Sequence, residues 1–223
     1  MISLEGVSHD YGGGALFRDV TVQLEPGSFY FLTGPSGAGK STFMKICYGE
    51  LKPSTGTVTL LKRDLASMTR DDLAQARERI GVVHQDCSFL DHLTLEQNVA
   101  LPLTATGRPI SDSDLEDLMG WVGLTDRADA KPPTLSGGER QRAALARAIV
   151  AGPSVLLADE PTGNLDWEMS QRLLMLMIEL NRMGTAVLIA THDLNLIRFA
   201  KAQVQARVIR IAGRTLQLAG AEL

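Results

Sequence analysis

Eight consecutive residues restrict this chain more than anything else in it: Gly34-Pro35-Ser36-Gly37-Ala38-Gly39-Lys40-Ser41. Two glycines separated by four residues, then Lys and Ser, form a loop whose backbone N–H groups turn inward around phosphate. Such a loop lies between a strand that delivers it and a helix whose positive dipole end completes the anion site. Both flanks are present. Residues 28–33 form a compact apolar run suited to a strand, and a helix is predicted from about residue 40 to 48, stopped by Gly49. Lys40 would reach the β- and γ-phosphates of a nucleotide, the Ser41 hydroxyl would ligate Mg2+, and Thr42 belongs to the same phosphate-binding set.

The remaining pattern alternates in the same way. Val20, Val22 and Leu24 recur with period two before the turn Glu25-Pro26-Gly27, so the first 30 residues read as short antiparallel strands. Pro53-Ser54-Thr55-Gly56 reads as a turn and residues 57–61 as a strand. Thr69 and Asp72 have the spacing of a capping box and open a helix to about Arg79. Residues 80–83, 154–158 and 185–190 are continuous apolar runs, as in a parallel sheet covered on both faces. Predicted helices at about 138–151, 169–183 and 193–200 alternate with them, and residues 204–211 and 215–218 read as a hairpin. From about Asp86 to Pro133 the character changes. Capped helical segments, Thr94 with Gln97 and Ser111 with Asp114, indicate a mostly helical lobe inserted in an α/β core.

A phosphate loop needs a further carboxylate for its metal. Val155-Leu156-Leu157-Ala158-Asp159-Glu160 supplies one at the end of a strand, where open α/β sheets bind ligands. Asp159 would hold Mg2+ directly or through water, and Glu160 would polarise an attacking water as general base. These two motifs admit kinases, GTPases and many ATPases. Leu135-Ser136-Gly137-Gly138-Glu139-Arg140-Gln141 narrows the choice. A Ser with paired glycines at a helix start is a second anion site, one too many for a single nucleotide. The economical arrangement is a head-to-tail pair with twofold symmetry. Each ATP then lies between Lys40 of one copy and Ser136, Gly137, Gly138 and Glu139 of the other.

On these residues the chain resembles the ATP-binding cassette (ABC) ATPases, and residues 135–141 are similar to their signature motif. The resemblance covers nearly the whole chain. It implies an α/β fold: a P-loop NTPase (RecA-like) core with a parallel sheet, an N-terminal antiparallel β subdomain and an inserted α-helical subdomain. One cassette would span 1–223, with 1–85 and 152–223 as the ATP-binding core and 86–151 as the helical signature subdomain. It also implies roles. Gln85 matches the glutamine that joins core to lobe and ligates the metal. Asp166, in Gly163-Asn164-Leu165-Asp166, matches the acid that reaches the dimer partner. His192 matches the switch histidine at the γ-phosphate, and Tyr11 the aromatic stacked on adenine. The implied cofactors are ATP and Mg2+, and the implied ATP state is a homodimer. Residues 161–166 are similar to the branch serving lipoprotein release, macrolide export and cell division, and within it residues 32–40, 179–185 and 190–197 are most similar to bacterial cell-division ATPases. Those act with an integral membrane partner, an FtsX-like permease, at the cytoplasmic face of the inner membrane. Two rival readings remain open: the ATPase of a lipoprotein-releasing or small-molecule exporter, and a soluble ABC protein acting on ribosomes or DNA. The second class usually carries two fused cassettes or a long coiled-coil insertion, and these residues contain neither.

Charge and cysteine content exclude other classes. Lys plus Arg number 22 and Asp plus Glu 26, a formal net charge of −4 that gives no support for a nucleic-acid partner. Two cysteines, Cys47 and Cys87, are too few for a disulfide scaffold and fit a reducing compartment. No basic segment followed by an apolar stretch opens the sequence, and no apolar run approaches the ~18 residues of a membrane helix. A cytoplasmic protein is expected, held at a membrane only by another chain. Cys47, Met175, Met177 and Met183 are expected in the core. At the joint between core and lobe, Phe89, Leu90 and Leu93 offer apolar anchors for a membrane partner, with Asp86 and Asp91 orienting a basic helix. The alternative is that these three apolar residues pack the lobe onto the core.

Overall fold

The computed structural model of the chain describes residues 1–109 and 111–218. β1 (Ile2–Asp10) and β2 (Ala15–Leu24) pair antiparallel, with Ile2 opposite Leu24 and Asp10 opposite Ala15. A register shift after Leu4 brings Val7 and then His9 to the buried side with Ile2 and Leu4. β3 (Phe29–Thr33) delivers the phosphate loop and α1 (Lys40–Cys47) receives it. β4 (Thr55–Leu60) pairs with the other edge of β1, and β5 (Arg63–Asp64) pairs with β4. These strands make an antiparallel sheet in the order β2-β1-β4-β5. The turn expected at residues 53–56 overlaps β4. Gly56, at φ +86°, lies so close to β1 that a Cβ would come within 2.5 Å of the Gly6 carbonyl. The glycine serves a close approach of two backbones inside the strand, which the sequence pattern cannot distinguish from a turn.

α2 (Arg70–Arg77) opens on the expected capping box: the Thr69 hydroxyl accepts from the Asp72 N–H while the Asp72 carboxylate accepts from the Thr69 N–H. β6 (Ile80–Val83) follows. α3 (Leu95–Thr106), α4 (Asp112–Trp121) and α5 (Gly137–Ile149) come next, before β7 (Val155–Asp159). Then come α6 (Trp167–Arg182), β8 (Ala186–Ala190), α7 (Leu194–Lys201), β9 (Ala206–Ala212) and β10 (Thr215–Leu218). The second sheet has the order β10-β9-β3-β8-β7-β6 and is parallel except for β10.

Both faces of this sheet are covered, which explains the unbroken apolar runs. Phe29, Phe31, Leu156, Ala158, Val187 and Ile189 face a cluster with residues of α3, α5 and α6. Tyr30, Leu32, Val155, Leu157, Ala186 and Leu188 face another with Phe43, Ile46 and Cys47 of α1 and the antiparallel sheet. Each large apolar side chain so buried contributes about 1.5–3 kcal/mol. That packing fixes the C-terminal ends of β3, β7 and β8 side by side, and with them the loops after each. Cys47 is fully buried as expected, and burial pushes its thiol up. Met177 is buried, but Met183 is exposed: it is the C-cap of α6, where the chain leaves the core. Asp193 is not helical; its carboxylate caps α7 by accepting from the Asn195 and Leu196 N–H groups. Among the described residues no helix is long and apolar enough to cross a membrane.

Candidate active site

The ends of β3, β7 and β8 open onto a cavity of about 760 Å³. Two glycines of the phosphate loop are demanded by contact as well as by conformation. A Cβ on Gly34 would meet the Ile211 carbonyl at 2.9 Å, and one on Gly39, at φ +97°, the Leu16 side chain at 2.7 Å. Lys40 Nζ donates to the loop's own carbonyls, Gly34 at 3.0 Å and Pro35 at 3.3 Å. The Ser41 hydroxyl donates to Asp159 Oδ2 at 2.5 Å. A hydroxyl and a carboxylate oxygen side by side at a phosphate loop are the hard donors Mg2+ takes, so these residues fit that metal. Gln85 lines the same cavity.

Glu160 sits where β7 ends and carries φ +48°, a left-handed conformation that costs a non-glycine residue about 1–2 kcal/mol. Its backbone is held on both sides. The N–H donates to the Ala190 carbonyl at 2.9 Å, and the carbonyl accepts from the Gly163 N–H at 3.2 Å and from the Gln141 side-chain amide. The carboxylate reaches the cavity, where Oε1 lies 2.8 Å from Nδ1 of His192. The His192 side chain is 79% exposed. Tyr11 stands at the cavity mouth, 66% exposed, its hydroxyl 3.2 Å from Thr42 Oγ1. The glycines after it do not leave its loop loose, because the Asp10 carboxylate accepts from the Gly12 and Gly14 N–H groups at 2.6 and 3.1 Å.

The cavity therefore gathers Tyr11, Gln85, Asp159, Glu160, His192 and the phosphate loop, except for Ala38, which packs against the α1-side core. Ser136, Gly137, Gly138, Glu139 and Asp166 do not line it. Ser136 caps α5: its hydroxyl accepts from the Glu139 N–H and donates to Glu139 Oε2 at 2.8 Å, and its own N–H donates to that oxygen at 2.7 Å. These bonds hold the Glu139 carboxyl below its ordinary value, and Arg127 closes on the other oxygen at 2.9 Å. Asp166 caps α6 through the Met169 N–H at 2.8 Å. A Cβ on Gly138 would meet the Asn164 carbonyl at 3.2 Å, so the α5 start touches the loop of residues 163–166 in the same chain.

Of two further contributors, Leu16 carries no motif mark, and Gln141 ends the segment 135–141 but takes no nucleotide-binding role from it. Leu16 lines the cavity and packs on Gly39. Gln141 is buried, donates to the Glu160 carbonyl and accepts from Asn164 Nδ2 at 3.2 Å, tying α5 to both loops. Its signal is a polar residue on the inward stripe of α5, four positions before Leu145. At the joint, Phe89 is half-buried beneath Arg147, whose guanidinium lies 4.5 Å from the ring centroid. Leu93 is also half-buried, whereas Leu90 is 42% exposed, its backbone N–H and carbonyl both bonded by the buried Asn98 side chain. Phe89 thus packs lobe against core and only Leu90 is presented outward. A second cavity of about 400 Å³ opens between α2, β6, α3 and α5, with Arg77, His84, Arg108 and Arg147 in its wall.

A phosphate loop, a hydroxyl–carboxylate pair and a carboxylate–histidine pair at the ends of parallel strands define a P-loop nucleoside triphosphatase. The ABC transporter family model matches residues 17–163, so the chain belongs to that family and is an ATPase of the ABC type. It is 44% identical over 200 residues to the cell division ATP-binding protein FtsE of Escherichia coli (strain K12), covering 88% of this chain and 90% of that protein. To the cell division ATP-binding protein FtsE of Bacillus subtilis (strain 168) it is 39% identical over 207 residues, with coverages of 92% and 91%. Two solved structures are similar over 97% of both chains. One is the dimeric post-hydrolysis state of the ATP-binding cassette MJ0796 bound to ADP and Pi, at TM-score 0.88 and 31% identity. The other is the dimeric structure of MJ0796 as a bacterial ABC transporter cassette, at 0.86 and 32%.

Proposed function

We propose that the chain is the ATP-hydrolysing subunit of an FtsEX-type complex of bacterial cell division. Two copies close head to tail on two MgATP, and an FtsX-like integral membrane permease turns closure and reopening into movement across the inner membrane. The chain itself sits on the cytoplasmic face. The observation that carries the dimer is the separation of the two anion sites: Lys40 lines the cavity and Ser136 to Glu139 do not. The FtsE relatives and the dimeric cassettes support the same reading.

Lys40 exchanges the Gly34 and Pro35 carbonyls for the β- and γ-phosphates, while the loop N–H groups hold the phosphate oxygens. Ser41, Asp159 and Gln85 would hold Mg2+, which when bound neutralises phosphate charge. Adenine stacks on Tyr11. Glu160 takes the proton of a water whose oxygen attacks the γ-phosphorus as the bond to the bridging oxygen of ADP breaks. His192 fixes the Glu160 carboxylate through Nδ1 and offers its exposed remainder to the γ-phosphate. Ser136 and the adjoining N–H groups of the second copy close over that phosphate, and Asp166 meets the partner copy there. The test is disulfide trapping between Cys introduced at Ser36 and at Ser136, with Cys47 and Cys87 replaced. MgATP should produce cross-linked dimers; cross-links confined to monomers would overturn the sandwich.

The permease docks at the joint through Leu90. The exposed carboxylates of Asp86 and Asp91 flank it and suit a basic docking segment. Leu90→Asp should keep ATPase activity and lose co-purification with the permease.

A further inference from the structure

His9 has no part in the chemistry above, yet its surroundings are unusual. It lies on the core side of β1, 5% exposed, and among the described residues neither ring nitrogen has a hydrogen-bond partner. A buried polar ring without partners calls for an explanation. Its neighbours are rings. The Tyr11 centroid lies 4.6 Å away with the planes at 84°, an edge-to-face pair, and the Phe17 centroid lies 6.4 Å away at 37°. Phe17 in turn meets Phe43 of α1 at 6.2 Å and 71°. The Tyr11 hydroxyl returns to Thr42 of the same helix. The contacts close a circuit from the phosphate-loop helix through β2, β1 and the Tyr11 loop, back to that helix.

Within the circuit Tyr11 depends on His9. Three glycines follow it, so no neighbouring bulky residue on that side confines the ring. Most of the ring is open at the cavity mouth, and among the described residues His9 is its ring contact. Thr42 restrains only the hydroxyl end. We infer that His9 is a positioning residue for the base: its buried ring supports Tyr11 from beneath in the orientation that takes a purine face, without touching nucleotide itself. The inference rests on adenine stacking at Tyr11. It concerns the ring of His9 and not its nitrogens, which make no bond.

The test separates base from phosphate. ATP hydrolysis is followed for His9→Ala, His9→Phe, Tyr11→Ala and the double His9→Ala/Tyr11→Ala, with inorganic tripolyphosphate as a competing ligand that has no base. His9→Ala should raise KM for ATP roughly fivefold to tenfold, part of what one base–aromatic stack is worth. It should leave kcat within about twofold and inhibition by tripolyphosphate unchanged. His9→Phe keeps a ring of similar size and should restore KM, and the double variant should be no worse than Tyr11→Ala alone. Where His9→Ala does not fold, His9→Val takes its place. Equal weakening of ATP and tripolyphosphate would overturn the inference, because His9 would then support the phosphate loop through Phe17 and Phe43. An unchanged KM, or a His9→Phe chain that fails to restore it, would overturn it too. If Tyr11→Ala leaves KM unaltered, the adenine placement falls and the inference with it. If Tyr11→Ala weakens ATP and His9→Ala does not, the placement stands and His9 alone is removed.

Discussion

Glu160→Gln isolates the proton-transfer role assigned to this residue. The glutamine oxygen and nitrogen occupy the places of the two carboxylate oxygens, so the contact to His192 Nδ1 at 2.8 Å can persist. The bonds that hold residue 160 in its left-handed conformation come from backbone groups and from Gln141, and are untouched. ATP binding and folding should therefore stay near wild type. Loss of a general base costs roughly 10²–10⁴-fold, or about 2.7–5.4 kcal/mol of barrier at 1.36 kcal/mol per tenfold. Phosphate release at saturating MgATP measures kcat, calorimetry measures ATP affinity, and light scattering reports whether the unhydrolysed state accumulates as a dimer. A kcat within threefold of wild type would refute Glu160 as the base. Glu160→Gly sharpens the argument. It relieves the left-handed cost of about 1–2 kcal/mol, offset by the greater unfolded freedom of glycine of about 0.5–1 kcal/mol. The lost bond to an exposed His192 is worth little. This inactive variant should melt up to about 2–4 °C higher than wild type, and a clearly lower Tm would show that the conformation at residue 160 is not strained.

Three further outcomes follow from named contacts. Lys40→Ala should weaken ATP binding roughly 100-fold or more, the value of two charge-assisted bonds at about 1.5 kcal/mol each or better; unchanged affinity in calorimetry would sink the phosphate-loop assignment. Gly81→Ala should cost at least about 2 kcal/mol and lower Tm by about 4–8 °C, because a Cβ there would lie 2.2 Å from the Ala148 carbonyl of α5; a smaller drop would mean that β6 and α5 can part. Asp72 is held down to about 2, first by Arg63 and then by the Thr69 N–H and hydroxyl. Its depressed value makes it stabilising above the ordinary carboxylate range and progressively less so as pH falls from about 4 through about 2. Wild type should melt above Asp72→Asn at pH 6, and that gap should close near pH 2; a gap that persists in acid would refute the ion-pair origin.

The parts of the fold that could be read in advance are those where one residue type has one physical use. Thr69 with Asp72, Thr94 with Gln97 and Ser111 before Asp114 mark helix starts because a short side-chain acceptor answers an orphan N–H there, and each does so. The strands 80–83, 155–159 and 186–190 are legible because burial on both faces leaves no polar position before Asp159, at the C-terminal end of its strand. What failed has several uses for one residue. Gly56 is a turn residue by type and a close-approach residue in fact, and Asp193 could open a helix or cap one. Met183 looks like core by composition, and only the end of α6 decides that it faces solvent. In the cavity, residues with motif spacing could be named, whereas Leu16 contributes through long-range packing that no local spacing encodes, and the tie of Gln141 to the Glu160 carbonyl depends on how α5 meets that loop.

One property of the cavity connects its parts. Four side chains assigned to the nucleotide site already have an internal partner: Lys40 the loop carbonyls, Ser41 Asp159, Glu160 His192, and Ser136 Glu139. A ligand that takes these groups exchanges one hydrogen bond for another, and such exchanges are worth little net for neutral partners. What the exchange adds is charge, because phosphate oxygens are anionic where the Gly34 and Pro35 carbonyls are not, and charge-assisted bonds are roughly twice as strong. On the proposed reading this orders the events. Lys40, at the cavity floor, gains most and engages within one chain. Ser136 must leave a carboxylate that its own N–H and hydroxyl both bond and that Arg127 also holds. It exchanges one anion for another and gains little unless a polyphosphate is already fixed opposite. Closure of two copies is then conditional on nucleotide bound in both, which is what a subunit needs if its closure is to drive a partner once per ATP pair.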